Sequence, residues 1–406
     1  MKRANVARLA IPAMAAITVT LTVTLTAGLP ATAAAATLAP SKATAIVFVH
    51  GFSSSASTNC MSSNEFGAMI PQLQSDGFTG KMITAGYYWG DTNCSVSLHR
   101  YGSYRDGDPF TAIGKAFSWY VYDTFTKNGI SVDAVGYSMG GLIVRAAIYG
   151  ASIKAAGYSP PINVGRVATL GTPHDGAAWY ATACVIVGWT QCAAMVQGSA
   201  QLTWLNQNGN PQGSAGTSWI VFGSQDDDVV PSSSAVFMSL PISRKIVFKH
   251  VSHTGFIFPD YMDAWSVVNL AGDSLGAVPG DIVSGVSSVK CIDDRGSVTS
   301  DGDPIQVYTC NGSGAQLWLH DSAGRKSTFS VLGKCLDDTG SGTANGTKIQ
   351  LYRCNNSGAQ RWTPGASGSL QIFGKCLDDP GSSTSNGTRP QIYTCNGTKA
   401  QRWIYG

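Results

Sequence analysis

The chain has 406 residues, 44% of them hydrophobic, which is enough for two ordinary domains. Its formal net charge is only +3, 13% of the residues are charged, and the basic residues are scattered along the chain. This composition excludes a nucleic-acid-binding protein, which would need a basic patch.

The N-terminus has the three parts of a secretory signal peptide. Lys2, Arg3 and Arg8 precede a mostly apolar stretch, which ends in small residues at 33–36. The pattern predicts a signal peptide over residues 1–36 and hence a secreted, extracellular protein. An N-terminal membrane anchor is the alternative, because the apolar stretch is long enough to span a bilayer, although it is rich in Thr and Ala.

Ten cysteines in an exported chain predict disulfides, and the even number leaves no obligatory free thiol. The Cys-x-x-Cys spacing of a metal site is absent. We therefore expect no metal and no cofactor. Four cysteines lie before residue 200, and the simplest of their three pairings joins Cys60 to Cys94 and Cys184 to Cys192.

Between residues 43 and 270, short apolar runs alternate with stretches of helical periodicity. This alternation is typical of an α/β fold with a mostly parallel sheet and helices on both faces, and we assign it to a domain at 40–272. One helix is well marked, since Asp108-Pro109 gives a start signal and Asn128-Gly129 a stop signal. The predicted strands are Ala45–Val49, Val132–Val135, Val164–Leu170, Trp219–Phe222 and Ile246–Phe248.

The pentapeptide Gly136-Tyr137-Ser138-Met139-Gly140 lies between a predicted strand and the helical stretch Leu142–Tyr149. This is the context of a nucleophile elbow, a strained turn that holds the serine hydroxyl clear of the sheet. Side chains two residues before and after the serine would collide in such a turn, which explains Gly136 and Gly140. Ser138 is the predicted nucleophile.

A serine hydroxyl needs an imidazole to take its proton and a carboxylate to orient that imidazole, in the chain order Ser, acid, His. The acidic run 226–228 follows one predicted strand, and we favour Asp227 as the acid, with Asp226 as the alternative. His253 lies in the loop after the last predicted strand. We prefer it to His250, which lies nearer the strand end.

Acyl transfer also needs hydrogen-bond donors for the oxyanion. One is the N–H after the nucleophile, which belongs to Met139. A second is expected from the loop after an early strand, and the run Ala45–Val49 is followed by His50-Gly51-Phe52. We assign the second donor to the Phe52 N–H.

Four segments together resemble the bacterial extracellular lipases of the α/β-hydrolase fold, over residues 45 to about 260. The resemblance implies a hydrolase of carboxylic esters, often acylglycerols, with the triad and oxyanion donors assigned above. Tyr137 stands where many lipases have His, which leaves the subfamily open. The segments are Val49-His50-Gly51-Phe52, Gly136-Tyr137-Ser138-Met139-Gly140-Gly141, Leu170-Gly171-Thr172-Pro173-His174 and His253-Thr254-Gly255.

Three copies of one pattern fill the C-terminal third, and they start at Cys291, Cys335 and Cys376. In each copy a second cysteine follows the first by 19 positions, so a bridge within each repeat is the simplest pairing. Each copy ends in Gln-x-Trp. We place a linker at residues 273–285, which lack helical periodicity, and a second domain at 286–406.

The repeats resemble the ricin-type β-trefoil lectins, an all-β fold in which Gln-x-Trp recurs three times. The resemblance implies a core Trp, a Gln that orients an Asp, and sugar sites that combine directional polar groups with an aromatic ring. Directly before each Gln, where the family often has a sugar-binding Asn, this chain has Ala315, Ala359 and Ala400, so each site lacks one amide. The implied carbohydrate-binding residues are Asp293, Tyr308 and Asn311, then Asp337, Tyr352 and Asn355, then Asp378, Tyr393 and Asn396.

The sequence therefore predicts a secreted, monomeric serine carboxylic-ester hydrolase, lipase-like, that acts through an acyl-enzyme and is held near carbohydrate by the trefoil. A polysaccharide-directed esterase of the acetyl xylan or feruloyl type is the alternative within enzymes. From another class, a carbohydrate-binding protein with an inactive hydrolase domain is the competing hypothesis. A glycosidase is set aside, because no paired-carboxylate context is recognisable.

Overall fold

The computed structural model describes residues 41–75, 77–178, 189–207, 216–241, 244–249, 251–255, 259–262, 264, 267, 270–272, 275, 279–321 and 328–405. The predicted signal peptide lies outside these residues, as do Cys184 and His250. Within the described part of the chain, no helix is long and apolar enough to cross a membrane.

The N-terminal part is built on a seven-stranded sheet in the order β3-β2-β1-β4-β5-β6-β7, and every neighbouring pair is parallel. The predicted α/β class is confirmed, and each of the five predicted strands is present. β4 extends two residues beyond its predicted end, because Gly136 and Tyr137 still pair with β5. The strands are β1 (Ile46–Val49), β2 (Met82–Gly86), β3 (Val96–Ser97), β4 (Val132–Tyr137), β5 (Val164–Leu170), β6 (Ser218–Ser224) and β7 (Lys245–Phe248).

Side chains alternate between the two faces of this sheet, and each face is covered by helices. Phe48 and Phe222 point to the face on which α1 packs, whereas Val49 points to the face covered by α2 and α3. These two helices lie close together at Gly114, where a Cβ would come within 3.0 Å of the Cβ of Ala146. The helices are α1 (Phe66–Ser75), α2 (Phe110–Thr124), α3 (Met139–Ser152), α4 (Thr190–Ala194), α5 (Ala200–Leu205) and α6 (Ser232–Ala235).

The C-terminal part forms three antiparallel sheets, in the orders β11-β10-β9-β20, β15-β14-β13-β12-β8 and β16-β17-β18-β19. The all-β class predicted for the repeats is confirmed. The strands are β8 (Pro279–Gly280), β9 (Val283–Ser284), β10 (Lys290–Asp294), β11 (Ile305–Thr309), β12 (Trp318–Asp321), β13 (Thr328–Val331), β14 (Lys334–Asp338), β15 (Ile349–Arg353), β16 (Thr363–Pro364), β17 (Leu370–Ile372), β18 (Lys375–Asp378), β19 (Gln391–Tyr393) and β20 (Trp403–Ile404).

The region predicted as a linker contains two of these strands. β8 pairs with β12, and β9 lies between β10 and β20. Ile282 between them is fully buried. The pairing of the trefoil sheets therefore begins inside the segment 273–285. The sequence gives no periodic signal for these strands, because each has only two residues.

Four predicted disulfides are confirmed, whereas the predicted pair Cys184–Cys192 includes a residue outside the described part of the chain. Cys60 is bonded to Cys94, and each repeat is closed by its own bridge. Cys192 is disulfide-bonded as well.

The trefoil packs against the edge strand β7 of the parallel sheet. A Cβ at Gly314 would lie 3.0 Å from the Cδ1 of Ile246. The Lys249 ammonium donates to the carbonyl of Gly296 at 2.8 Å. The two parts of the described chain thus share a contact of apolar packing and a hydrogen bond.

Candidate active site and carbohydrate sites

Ser138 stands at a strained turn between β4 and α3. Its backbone has φ 51° and ψ −125°, a conformation that a residue with a side chain rarely adopts. The Ser138 N–H is held by the carbonyl of Leu170 at 2.8 Å. This hydrogen bond to β5, together with the start of α3, keeps the turn in place.

Close backbone approach explains the glycines of the turn. A Cβ at Gly140 would lie 2.0 Å from the carbonyl oxygen of Val49, and one at Gly136 would lie 2.5 Å from the Cα of Gly141. Neither distance is possible for non-bonded atoms. Glycine is therefore required at both positions for steric reasons, as the elbow interpretation predicts.

The structure brings Ser138, His253 and Asp227 together. The Oγ of Ser138 lies 2.9 Å from the Nε2 of His253, and the Nδ1 of the same ring lies 3.0 Å from the Oδ2 of Asp227. All three side chains are buried or nearly so. With Nδ1–H donating to the carboxylate, Nε2 is free to accept the serine proton, which is the arrangement that activates a nucleophile.

The Asp227 carboxylate has four hydrogen-bond donors around it. Its Oδ1 accepts from the N–H groups of Val229 and Val230, and its Oδ2 accepts from the Tyr261 hydroxyl at 2.9 Å in addition to His253. Burial and the nearby carboxylate raise the pKa of Tyr261 well above its usual range, so its hydroxyl stays a donor. Asp227 is thus fixed in position by its own loop and by a neutral partner.

Asp226 was the alternative for the acid, and His250 was the alternative for the base. Asp226 is exposed, whereas the Asp227 carboxylate has no exposed surface. His250 lies outside the described residues. The backbone of His253 is held in place as well, since the buried Tyr137 hydroxyl donates to its carbonyl.

The loop after β1 lies against the nucleophile. A Cβ at Gly51 would come within 2.9 Å of the Cβ of Ser138, so only glycine allows this approach. The Gly51 carbonyl accepts from the Nδ1 of His50 at 2.9 Å and from the Tyr87 hydroxyl. The Gly51 carbonyl and the Phe52 N–H belong to the same trans peptide and point in opposite directions. The bonds to the carbonyl therefore turn the Phe52 N–H away from His50 and Tyr87.

His50 is itself fixed by a buried carboxylate. Its Nε2 lies 2.9 Å from the Oδ2 of Asp91, and its ring stacks on Tyr87 with centroids 4.0 Å apart. Asp91 also accepts from the backbone N–H groups of Thr58, Tyr87 and Tyr88, at 2.7–2.8 Å. The loop that carries Phe52 is therefore held by hydrogen bonds of His50 and Asp91.

Met139, the other assigned donor, is the first residue of α3, where an N–H has no partner within the helix.

His174, in the Gly-Thr-Pro-His segment, is a fully buried packing residue. Its Nδ1 lies 3.3 Å from the Arg145 guanidinium and its Nε2 lies 3.0 Å from the Thr169 hydroxyl. Burial, and next the Arg145 charge, lower the pKa of His174 well below its usual range. The ring is thus neutral and supports the back of α3.

In the trefoil, each Trp of Gln-x-Trp is buried and donates to a backbone carbonyl of its own repeat, at 2.9–3.0 Å. Each Gln donates to the first Asp of its repeat, as Gln316 does to Asp293 at 3.0 Å. The implied packing and orienting contacts are therefore present in all three repeats.

The three asparagines assigned to sugar contacts also shape their own loops. The Asn311 side-chain oxygen accepts from the N–H of Ser313 at 2.9 Å, and Asn355 and Asn396 make the same bond two residues on. In each case the bond uses the side-chain oxygen and not the amide nitrogen. Tyr393 is 41% exposed, so its ring is accessible at the third repeat.

Residues 40–211 match a serine esterase family. The description of that family model is "Putative serine esterase (DUF676)", and the match includes Ser138 and Phe52 but ends before Asp227 and His253. Residues 278–403 match the model of the ricin-type beta-trefoil lectin domain. The chain thus has a region that matches a serine esterase family, called the esterase region below, followed by a region that matches the ricin-type trefoil domain. Among curated proteins, none matches the chain.

Solved structures similar to the chain cover about a third of it. The designed three-fold symmetric protein ThreeFoil is 26% identical, with 31% of this chain and 96% of that chain covered and a TM-score of 0.30. The agglutinin from Abrus precatorius is 24% identical (32% and 48% covered, TM-score 0.28). An exo-beta-1,3-galactanase from Clostridium thermocellum is 24% identical (32% and 30% covered, TM-score 0.30). The chain thus spans less than half the length of the last two.

Sequence reasoning missed a second glutamine beside each Asp that was assigned to sugar contacts in the trefoil. Gln306 donates to Asp293 at 2.7 Å, and Gln350 and Gln391 make the equivalent bonds to Asp337 and Asp378. Each lies two residues before the Tyr of its repeat. The recurrence of Gln at this position in all three repeats was the sequence signal that could have identified it.

The esterase region also holds a buried acid that no sequence motif marks. Burial raises the pKa of Glu65 to about 7, and the neighbouring His50 and His253 imidazoles oppose the rise. Its Oε2 has no hydrogen-bond partner among the described residues. Across the described positions, no group of three or more His, Cys, Asp or Glu side chains forms a metal site.

Proposed function

We propose that the protein is a secreted serine carboxylic-ester hydrolase, lipase-like, which acts through an acyl-enzyme on Ser138. The observation that carries the proposal is the chain of short contacts from Ser138 Oγ through His253 to Asp227, at 2.9 and 3.0 Å. The α/β-hydrolase resemblance and the match to a serine esterase family support the same reaction.

The reaction follows from these positions. The Ser138 oxygen attacks the ester carbonyl carbon while its proton passes to the Nε2 of His253, whose positive charge is stabilised by Asp227. The carbonyl oxygen becomes an oxyanion, for which the N–H groups of Phe52 and Met139 are the donors. When the C–O bond to the alcohol breaks, His253 returns the proton to the leaving oxygen.

The second half of the cycle uses the same groups. Water loses a proton to His253 and adds to the acyl carbon, and the acid leaves as Ser138 regains its proton. No further cofactor is needed to balance either half. His253 must accept a proton at the start of each half and return it at the end, so the same ring acts as base and then as acid.

The test is the hydrolysis of short p-nitrophenyl esters by the full chain. Ser138→Ala should abolish it, because the replacement removes the attacking atom and little else. Ser234→Ala, a buried serine elsewhere in the domain, is the matched control and should keep activity. Retained activity in the Ser138 variant would overturn the proposal, and glycan binding without ester turnover in the wild type would favour the binding-protein hypothesis.

A polysaccharide-directed esterase is the second candidate, and the trefoil favours it. Three Asp side chains are each held by two glutamines, as in a site preorganised for hydroxyl groups. We propose that at least one of these sites binds sugar. Isothermal titration with mono- and oligosaccharides should give binding that Asp293→Asn, Asp337→Asn and Asp378→Asn together remove.

A further inference from the structure

The loop after β2 connects an exposed aromatic ring to the segment His50-Gly51-Phe52 after β1, called the oxyanion loop below. Tyr87 stacks on His50, and Asp91 binds the same imidazole. Trp89 lies between these two residues in the chain, and it is 74% exposed. Because β2 is parallel to β4, this loop and Ser138 lie at the same, carboxyl edge of the sheet.

Trp89 is the outer ring of a three-ring stack. Its ring lies on His99 with centroids 4.0 Å apart and planes 23° apart, and His99 lies on the buried Tyr104 at 4.6 Å and 19°. A stack covers one face of the outer ring, so most of the exposed area of Trp89 belongs to its other face.

Asp106 holds this stack in place. Its Oδ1 accepts from the backbone N–H of Trp89 at 3.1 Å and lies 3.5 Å from the Nε2 of His99. The carbonyl of Asp106 in turn accepts from the Gln191 amide at 2.6 Å. The ring is therefore oriented in advance, which lowers the conformational entropy lost when something packs on it.

The surroundings of Trp89 are polar. Gly90, Thr92 and Asn93 next to it are exposed, as is Arg100 beside His99. A lipid surface favours a contiguous apolar patch, whereas a sugar ring needs one flat aromatic face for its C–H groups and polar partners for its hydroxyls. A single fixed indole face within a polar rim fits the second requirement.

We propose that Trp89 is a stacking platform for a sugar ring of the ester substrate, so that the ester cleaved at Ser138 belongs to an acylated glycan. This inference rests on the proposed ester hydrolase activity, and of the two candidate substrate classes it favours the acylated glycan over the lipid ester. The trefoil then binds other sugars of the glycan, while Trp89 positions the sugar that carries the acyl group.

The test compares three substrates: p-nitrophenyl acetate, which has no sugar, acetylated xylotriose, which is short and soluble, and emulsified tributyrin. Trp89→Ala should raise KM for acetylated xylotriose about tenfold with kcat little changed, since one stacked ring contributes on the order of one power of ten in affinity. Trp89→Phe keeps a flat ring and should recover most of the loss. Ile130→Ala, which removes a 49% exposed side chain just before β4 at the opposite edge, is the control.

Several results would overturn the inference. They are an unchanged KM for acetylated xylotriose in Trp89→Ala, a loss confined to emulsified tributyrin, or no wild-type turnover of acetylated xylotriose while p-nitrophenyl acetate is hydrolysed. In each of these cases Ser138-dependent hydrolysis of p-nitrophenyl acetate would leave the proposed activity standing. Loss of that dependence would instead refute the activity and the inference with it.

Discussion

Replacing Asp91 with Asn should slow acyl transfer although Asp91 is outside the triad. Its carboxylate binds His50, and His50 holds the Gly51 carbonyl whose peptide carries the Phe52 N–H. Asn has nearly the same shape but no charge, and its amide nitrogen cannot accept a hydrogen bond. The substitution therefore loosens the oxyanion loop without changing its packing.

The magnitude follows from the bonds involved. Complete loss of one oxyanion donor costs about 3 kcal/mol, or a hundredfold or more in kcat. The Tyr87 hydroxyl still holds Gly51 in the variant, so we expect about half of that effect, a fall in kcat of roughly tenfold with KM little changed. The loss of a charged acceptor should also lower the free energy of unfolding by about 2 kcal/mol.

The assay is steady-state hydrolysis of p-nitrophenyl butyrate, with urea unfolding measured on the same samples. Asp123→Asn, which removes an exposed ion pair with Lys127, is the control and should change neither quantity by much. A variant at Asp91 that loses stability but keeps the wild-type kcat would refute the positioning role of this carboxylate.

Two further predictions come from the same region. Gly51→Ala places a Cβ 2.9 Å from the Cβ of Ser138 and should lower kcat at least tenfold. Turnover measures this effect, and circular dichroism checks that the variant is folded. Unchanged turnover would show that the loop can move without loss of activity. Glu65 has a pKa raised from 4.5 to about 7 in the folded chain, so it stays protonated up to a higher pH there than in the unfolded chain. The stability that this difference contributes is lost as pH rises from 4.5 to 7. Glu65→Gln should therefore stabilise the protein more at pH 8 than at pH 5, by about 3 kcal/mol in urea unfolding, and an equal effect at both pH values would contradict this.

Much of the fold could be predicted because its signals are local. β1 and β4–β7 each contain at least three large apolar residues, and α2 has a start signal and a stop signal around a periodic face. β2 and β3 were not among the predicted strands, because Met82–Gly86 has only two large apolar residues and Val96–Ser97 is only two residues long.

The candidate site could be predicted where the chain order and strand ends constrain it. The elbow marks Ser138, and parallel strands bring the residues after β1, β4, β6 and β7 to one edge. Asp91, Tyr87 and Glu65 could not be found in this way, since their contacts with the oxyanion loop or the triad region depend on loop conformations. Tyr261, which donates to Asp227, was missed for the same reason.

Covalent trapping tests the central proposal most directly. The full chain is incubated with a p-nitrophenyl alkylphosphonate, which resembles the tetrahedral intermediate and reacts with an activated serine, and the intact mass and the modified peptide are measured. One equivalent of phosphonate should add to Ser138, and esterase activity should fall in proportion to the fraction of chains modified. His253→Ala should prevent the addition. Modification at another residue, or full activity after Ser138 is modified, would contradict the proposal that Ser138 carries the acyl group.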